Sequence, residues 1–115
     1  MQWGENMKFY EPLYVSAVYR EKKKQIIKDI QDRKMLLHTY LILLSSNHTM
    51  QLEIIHAAQL SQKNYPLDDL FLVGIASNYY EALDIVEQIT RTVYNETHEV
   101  EIKEYLIKNN QNKDR

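Results

Sequence analysis

FLVGIASNYYEALDIVEQI, residues 71 to 89, passes from an apolar run through one glycine and a polar pair into a helical pattern. A ligand-binding strand-turn-helix and a plain structural corner share that order, so its details decide between them. The segment LFLVGIA has the continuous apolar character of a buried strand, and it predicts a central one. Asn78 follows as a helix N-cap, or Ser77 in its place, with Glu81 three positions after Asn78 completing a capping box. Tyr79, Ala82, Leu83, Val86, Ile89, Thr90 and Val93 recur at helical spacing and predict the buried stripe. Gly74 lies inside the strand, where it suits close packing or a bulge better than a phosphate-wrapping turn. Ser77, Asn78 and Glu81 can satisfy the first helical N–H groups themselves, and Glu81 and Asp84 oppose an anion. The junction therefore reads as a structural corner.

Working outward, Ser16 is the expected N-cap of a first helix running through AVYREKKKQIIKDIQDRK to Lys34, with Tyr19, Lys23, Ile26, Ile27, Ile30 and Lys34 along one face. Before it, Pro12 and LYV form an extended lead-in, with a short edge strand as one option. LLHTYLILL from Leu36 reads as a strand, SSNHT as a turn and MQLEIIHAAQL as the returning strand. Centring that hairpin on Asn47 pairs Leu44 with Met50, Ile42 with Leu52, Tyr40 with Ile54 and His38 with His56. A half-residue shift pairs Leu43 with Leu52 and Leu41 with Ile54, and the residues leave the choice open. SQKNYPLDD is the clearest loop. VEIKEYLIKN predicts a short final helix docked through Val100, Ile102, Tyr105 and Leu106.

The order predicts an α+β fold in two layers, helix-strand-strand-strand-helix: a three-stranded antiparallel sheet, two helices on one face and a short C-terminal helix. Residues 1–15 form the extended lead-in, 16–108 a single domain and 109–115 a disordered polar tail. The second sheet face is left uncovered in this arrangement, and that exposure predicts a homodimer.

Composition narrows the function classes. With 115 residues, 44% of them hydrophobic, the chain suits one domain with a modest core. Two glycines and no cysteine exclude a Gly-rich phosphate loop, disulfides, thiolate metal sites and a cysteine nucleophile. No apolar run approaches the roughly 20 residues of a membrane span, and no secretory start is recognisable, so the expected setting is the cytoplasm. Residues 1 to 34 hold eight Lys/Arg against five acids, and the remainder six against eleven.

The same order of elements resembles that of double-stranded RNA-binding domains, which implies a basic cluster at the start of the second helix. Ser77-Asn78-Tyr79-Tyr80-Glu81 has no Lys or Arg there, so nucleic acid is not the expected partner. The basic run Arg20 to Lys24, with Lys22 and Lys23 at its centre, reads first as a solvated helix face. His38 and His56 become cross-strand neighbours in one register, but a metal needs a further ligand and Glu53 points to the opposite face. His48 and His98 lack a set of partners, the Asp68-Asp69 and Glu99-Glu101 pairs read as surface solubility, and no serine lies in a nucleophile elbow. Nine tyrosines draw more interest, Tyr79 and Tyr80 most, because both cannot face the core. No catalytic residue, cofactor or metal is assigned. The expectation is a non-enzymatic, self-associating protein-interaction module, with candidate contacts at Ser77, Asn78, Tyr79, Tyr80, His38, His56, Lys22 and Lys23. The alternatives are a binder or enzyme for a small anionic metabolite at the second helix's start and, third, a nucleic-acid module.

Overall fold

A computed structural model describes residues 7–44, 52–62, 70–98 and 101–113. Strand β1 (Lys8–Val15) leads through a 3-10 segment (Ala17–Lys22) into helix α1 (Lys23–Gln31). Strands β2 (Tyr40–Leu44) and β3 (Leu52–His56) follow, then a second 3-10 segment (Ala57–Ser61), β4 (Phe71–Ala76), α2 (Tyr79–Thr97) and α3 (Ile102–Lys113). The strands form one sheet in the order β1-β4-β2-β3, with β1 parallel to β4 and the other pairs antiparallel.

The α+β class and the chain order of the main elements stand, and the arrangement is corrected. The sheet has four strands and is mixed, because the extended lead-in is itself an edge strand paired with β4. The helices do not share one face. Ile26 and Ile30 of α1 pack with Leu41, Leu43, Ile55, Leu72 and Ile75. Ala82, Ile85, Ile89 and Val93 of α2, with Ile102 and Leu106 of α3, pack with Ile42, Leu44, Val73 and Ala76. Strand alternation explains the division, since Leu41 and Leu43 point one way and Ile42 and Leu44 the other. Fully apolar strands such as YLILL are what a sheet covered on both faces requires. The uncovered face that suggested a dimer therefore does not exist, and any self-association must use another surface. Each Ile or Leu taken fully out of water here contributes about 1.5–3 kcal/mol, which is why both layers matter.

Gly74 marks a bulge. Leu43 pairs with Leu72 and Ile42 with Gly74, so β4 spends one extra residue, Val73, where β2 takes a single step. Val73 and Gly74 consequently face the same layer, beneath α2. A Cβ on Gly74 would stand 3.1 Å from Ile42 Cδ1, 3.2 Å from the Tyr14 carbonyl oxygen and 3.3 Å from Ile85 Cγ2. The missing side chain lets Ile85, only 7% exposed, settle on the sheet.

Other boundaries also shift. The hairpin pairs Tyr40 with His56, Ile42 with Ile54 and Leu44 with Leu52. This is two residues from the first expected register and preserves its faces; the half-shifted alternative would have exchanged them. Ser16 makes no side-chain cap, and α1 begins only at Lys23 after the 3-10 segment. Helix α3 continues to Lys113, so the tail expected from residue 109 begins as helix. Asn109 donates to the Tyr10 hydroxyl at 2.5 Å, and Asn110 accepts from the Glu11 N–H at 3.0 Å, fixing α3 across β1. In α2 the buried stripe is Ala82, Ile85, Ile89 and Val93, whereas Tyr79 and Leu83 are exposed. His98 closes α2 in the left-handed conformation at φ 60°, its N–H bonded to the Tyr94 carbonyl. The expected turn at 45–49, most of the loop SQKNYPLDD, and Val100 lie outside the described residues.

Candidate functional site

The corner after β4 is built from four polar side chains. Asn78 Oδ1 accepts the Glu81 backbone N–H at 2.9 Å, the N-cap interaction its position predicts. Ser77 donates its hydroxyl to Glu81 Oε1 at 2.8 Å, while its backbone N–H donates to Ser16 Oγ at 3.1 Å. Ser16 itself is buried at the end of β1, where its N–H reaches the Ile75 carbonyl at 2.9 Å. The Ser16 and Ser77 hydroxyls hold the Glu81 carboxyl below its usual range, since hydrogen bonds to the ionised form favour it. At this helix start the Glu81 and Ala82 N–H groups are both bonded to Asn78, and an ionised carboxylate lies one turn in. The corner can act as a rigid joint, and it offers an incoming anion little.

Beside this joint, Tyr40 brings together two residues singled out from sequence. Its ring meets His56 edge-on at 4.9 Å between centroids and Tyr79 edge-on at 5.8 Å. Such pairs each contribute about 0.5–1.5 kcal/mol beyond area burial. Both His56 ring nitrogens are engaged: Nδ1 accepts the Ala58 N–H at 3.1 Å, and Nε2 therefore carries the proton it shares with the Leu37 carbonyl at 2.9 Å. No lone pair remains for a metal or for general-base work. His38 lies before the start of β2 and has no partner in the strand register, and its carbonyl accepts the Tyr19 hydroxyl at 2.6 Å. The two histidines are thus not cross-strand neighbours, because the observed register gives His56 to Tyr40.

Tyr80 is the most exposed of the described large hydrophobic residues, at 79%. Lys22 is exposed at the end of the 3-10 segment. Lys23, half-buried, lines a cleft of about 320 Å³ together with Leu13, Tyr14, Val15, Arg20, Ile85 and Gln88. Sequence reading placed Lys23 on a helix face and among the candidate contacts, and Arg20 only in a basic run. Nothing in the spacing linked them to Gln88 or to the edge of β1, because that link depends on how β1 pairs.

Among the described residues no three His, Asp or Glu side chains converge to hold a metal ion, and every buried side-chain nitrogen or oxygen has a hydrogen-bond partner. No helix there is long and apolar enough to cross a membrane. His48, Asp68-Asp69 and Glu99 lie outside the described residues. Comparison with protein-family models, curated proteins and solved structures finds no match to this chain.

Proposed function

We propose that the chain is a small cytoplasmic, non-enzymatic module that works by associating with a second copy through the outer face of α2. The observation carrying this reading is a seam of side chains on the outer face of α2, all exposed except the half-buried Thr90. Tyr80, Leu83, Glu87, Thr90 and Tyr94 follow one another at alternating steps of three and four, the spacing of helix-to-helix seams. Tyr80, Leu83 and Tyr94 are 79%, 43% and 52% exposed. Tyrosine is enriched at interfaces because it combines contact area with a hydrogen-bonding tip.

The seam is self-complementary in the antiparallel sense. Tyr80 and Tyr94 lie equally far on either side of Glu87, so a two-fold axis at Glu87 sets Tyr80 of one copy against Tyr94 of the other. Glu87 pairs with Arg91 within its own helix. Across the axis the two pairs interleave, offsetting the repulsion of facing carboxylates. A 19-residue helix is about 28 Å long, and one helix face per copy is a small contact beside the standard interface. The dimer is accordingly weak and concentration-dependent.

Sedimentation velocity from micromolar to near-millimolar protein tests the reading. A rising fraction of dimer, abolished by Leu83→Asp and reduced by Tyr80→Ala with the monomer's melting unchanged, is expected. A monomer throughout, or a Tyr80→Ala protein that is destabilised but associates normally, would sink it.

A further inference from the structure

The cleft at the edge of β1 has no part in that seam and carries a separate inference. Its residues come from the C-terminal end of β1 and from the segments that follow β1 and β4: Arg20 and Lys23 on one side, Ile85 and Gln88 on the other. Strands β1 and β4 are adjacent and parallel, and the helices after them cover opposite faces. In open sheets this divergence is where crevices form and ligands bind. At about 320 Å³ the cleft falls within the range of small-molecule sites, about 300–1,000 Å³.

Its chemistry points to one ligand class. Arg20 and Lys23 are three residues apart, and neither is within ion-pair distance of a carboxylate among the described residues. The Ser16 N–H is bonded to Ile75, the residue paired with Val15, so alternation along the strand turns the Val15 amide to the open edge. A guanidinium fork, an ammonium and an edge N–H match the oxygens of a phosphoryl group. A phosphate ion alone would fill only part of the space, leaving room for an organic body against Ile85 and the Gln88 amide. Two cations balance a single phosphoryl dianion. A polyphosphate would set excess charge against Asp84, exposed one turn before Gln88.

We propose that this cleft binds a small phosphate monoester, its phosphoryl group between Arg20 and Lys23 and its body along the Leu13–Val15 edge. Amide-resolved NMR titration of the full chain with inorganic phosphate and with glycerol 3-phosphate, at ionic strength fixed by chloride, tests it. Saturable shifts centred on Val15, Arg20, Lys23 and Gln88 are expected, with glycerol 3-phosphate binding at least threefold tighter than phosphate. Arg20→Gln and Lys23→Gln should each weaken binding by about fivefold, the upper range for a solvent-exposed charge pair, and Lys22→Gln should not. The amide spectra of the variants establish that the fold is intact. Shifts spread evenly over Lys22, Lys24 and Lys28, equal affinity for the two probes, or unaltered binding in both cleft variants would each overturn the assignment.

Discussion

The backbone N–H of Ser77 donates to the hydroxyl of Ser16 at 3.1 Å, tying the end of β4 to the end of β1. Ser16 is buried, and its hydroxyl also helps to lower the Glu81 pKa. Ser16→Ala should destabilise the fold by about 1–3 kcal/mol, because it strands a partly buried N–H and removes a partner from a carboxylate. Ser77→Ala keeps that N–H bonded and should cost less. Urea unfolding of the two variants checks the order, and equal losses would contradict it.

Glu81 gives the fold a pH dependence with a definite sign. Its folded pKa is lowered from the ordinary 4.5, so the unfolded chain binds more protons in that region. The stabilisation is fully present above about pH 4.5 and is lost as pH falls through the lowered folded value. The stability gap between the native chain and Glu81→Gln should therefore narrow as the pH is brought from 7 to 3. A gap constant over that range would show that the carboxylate is unimportant.

Gly74→Ala should destabilise by about 1–3 kcal/mol, even though alanine is ordinarily the better strand residue. The added carbon would sit 3.2 Å from the Tyr14 carbonyl oxygen, a backbone atom held by the β1–β4 pairing. Ile42→Val, which removes the Cδ1 atom that would stand 3.1 Å from the added carbon, should recover part of the loss. A thermal melt of the single and double variants decides the matter.

Replacing His56 by Ala removes the partner of the Ala58 N–H and of the Leu37 carbonyl. The Leu37 carbonyl is exposed and the Ala58 N–H only part-buried, so the expected loss is about 1 kcal/mol, smaller than for the buried Ser16→Ala. His56→Asn should lose less, since a short side-chain carbonyl can still accept the Ala58 N–H at this cap position. Equal destabilisation by Ala and Asn in urea unfolding would mean that the ring contact with Tyr40 dominates.

Local signals were readable wherever neighbouring residues alone determine the outcome. The N-cap Asn78, the helix it opens and the bulge-prone Gly74 are all visible in Phe71–Ile89, and the structure places them accordingly, whereas Glu81 turns its carboxylate to the Ser77 hydroxyl and does not close the expected capping box on the Asn78 N–H. The alternation that gives Ile42 and Leu44 one face and Leu41 and Leu43 the other was equally legible. What escaped depends on distant partners. FYEPLYV contains a proline and a broken alternation, and nothing in it announces a parallel pairing with residues 71–76. Placing both helices on one face left the other apparently bare, and treating β1 as no more than one option hid the cleft that Arg20 and Lys23 share with α2. The buried side of α2 was misjudged at Leu83 and Ile85 because the angle of a helix on a bulged sheet follows from packing, which periodicity does not encode.

The position of β1 also has a temporal consequence. Among the described residues its one neighbour in the sheet is β4, so a nascent chain carries β1 unmatched until Ala76 has left the ribosome. Pairings of such long sequence separation slow folding, because loop closure precedes the reward. Arrest of synthesis just before Phe71 should leave Lys8–Val15 open to proteases. Release beyond Thr97 should protect it in a single step.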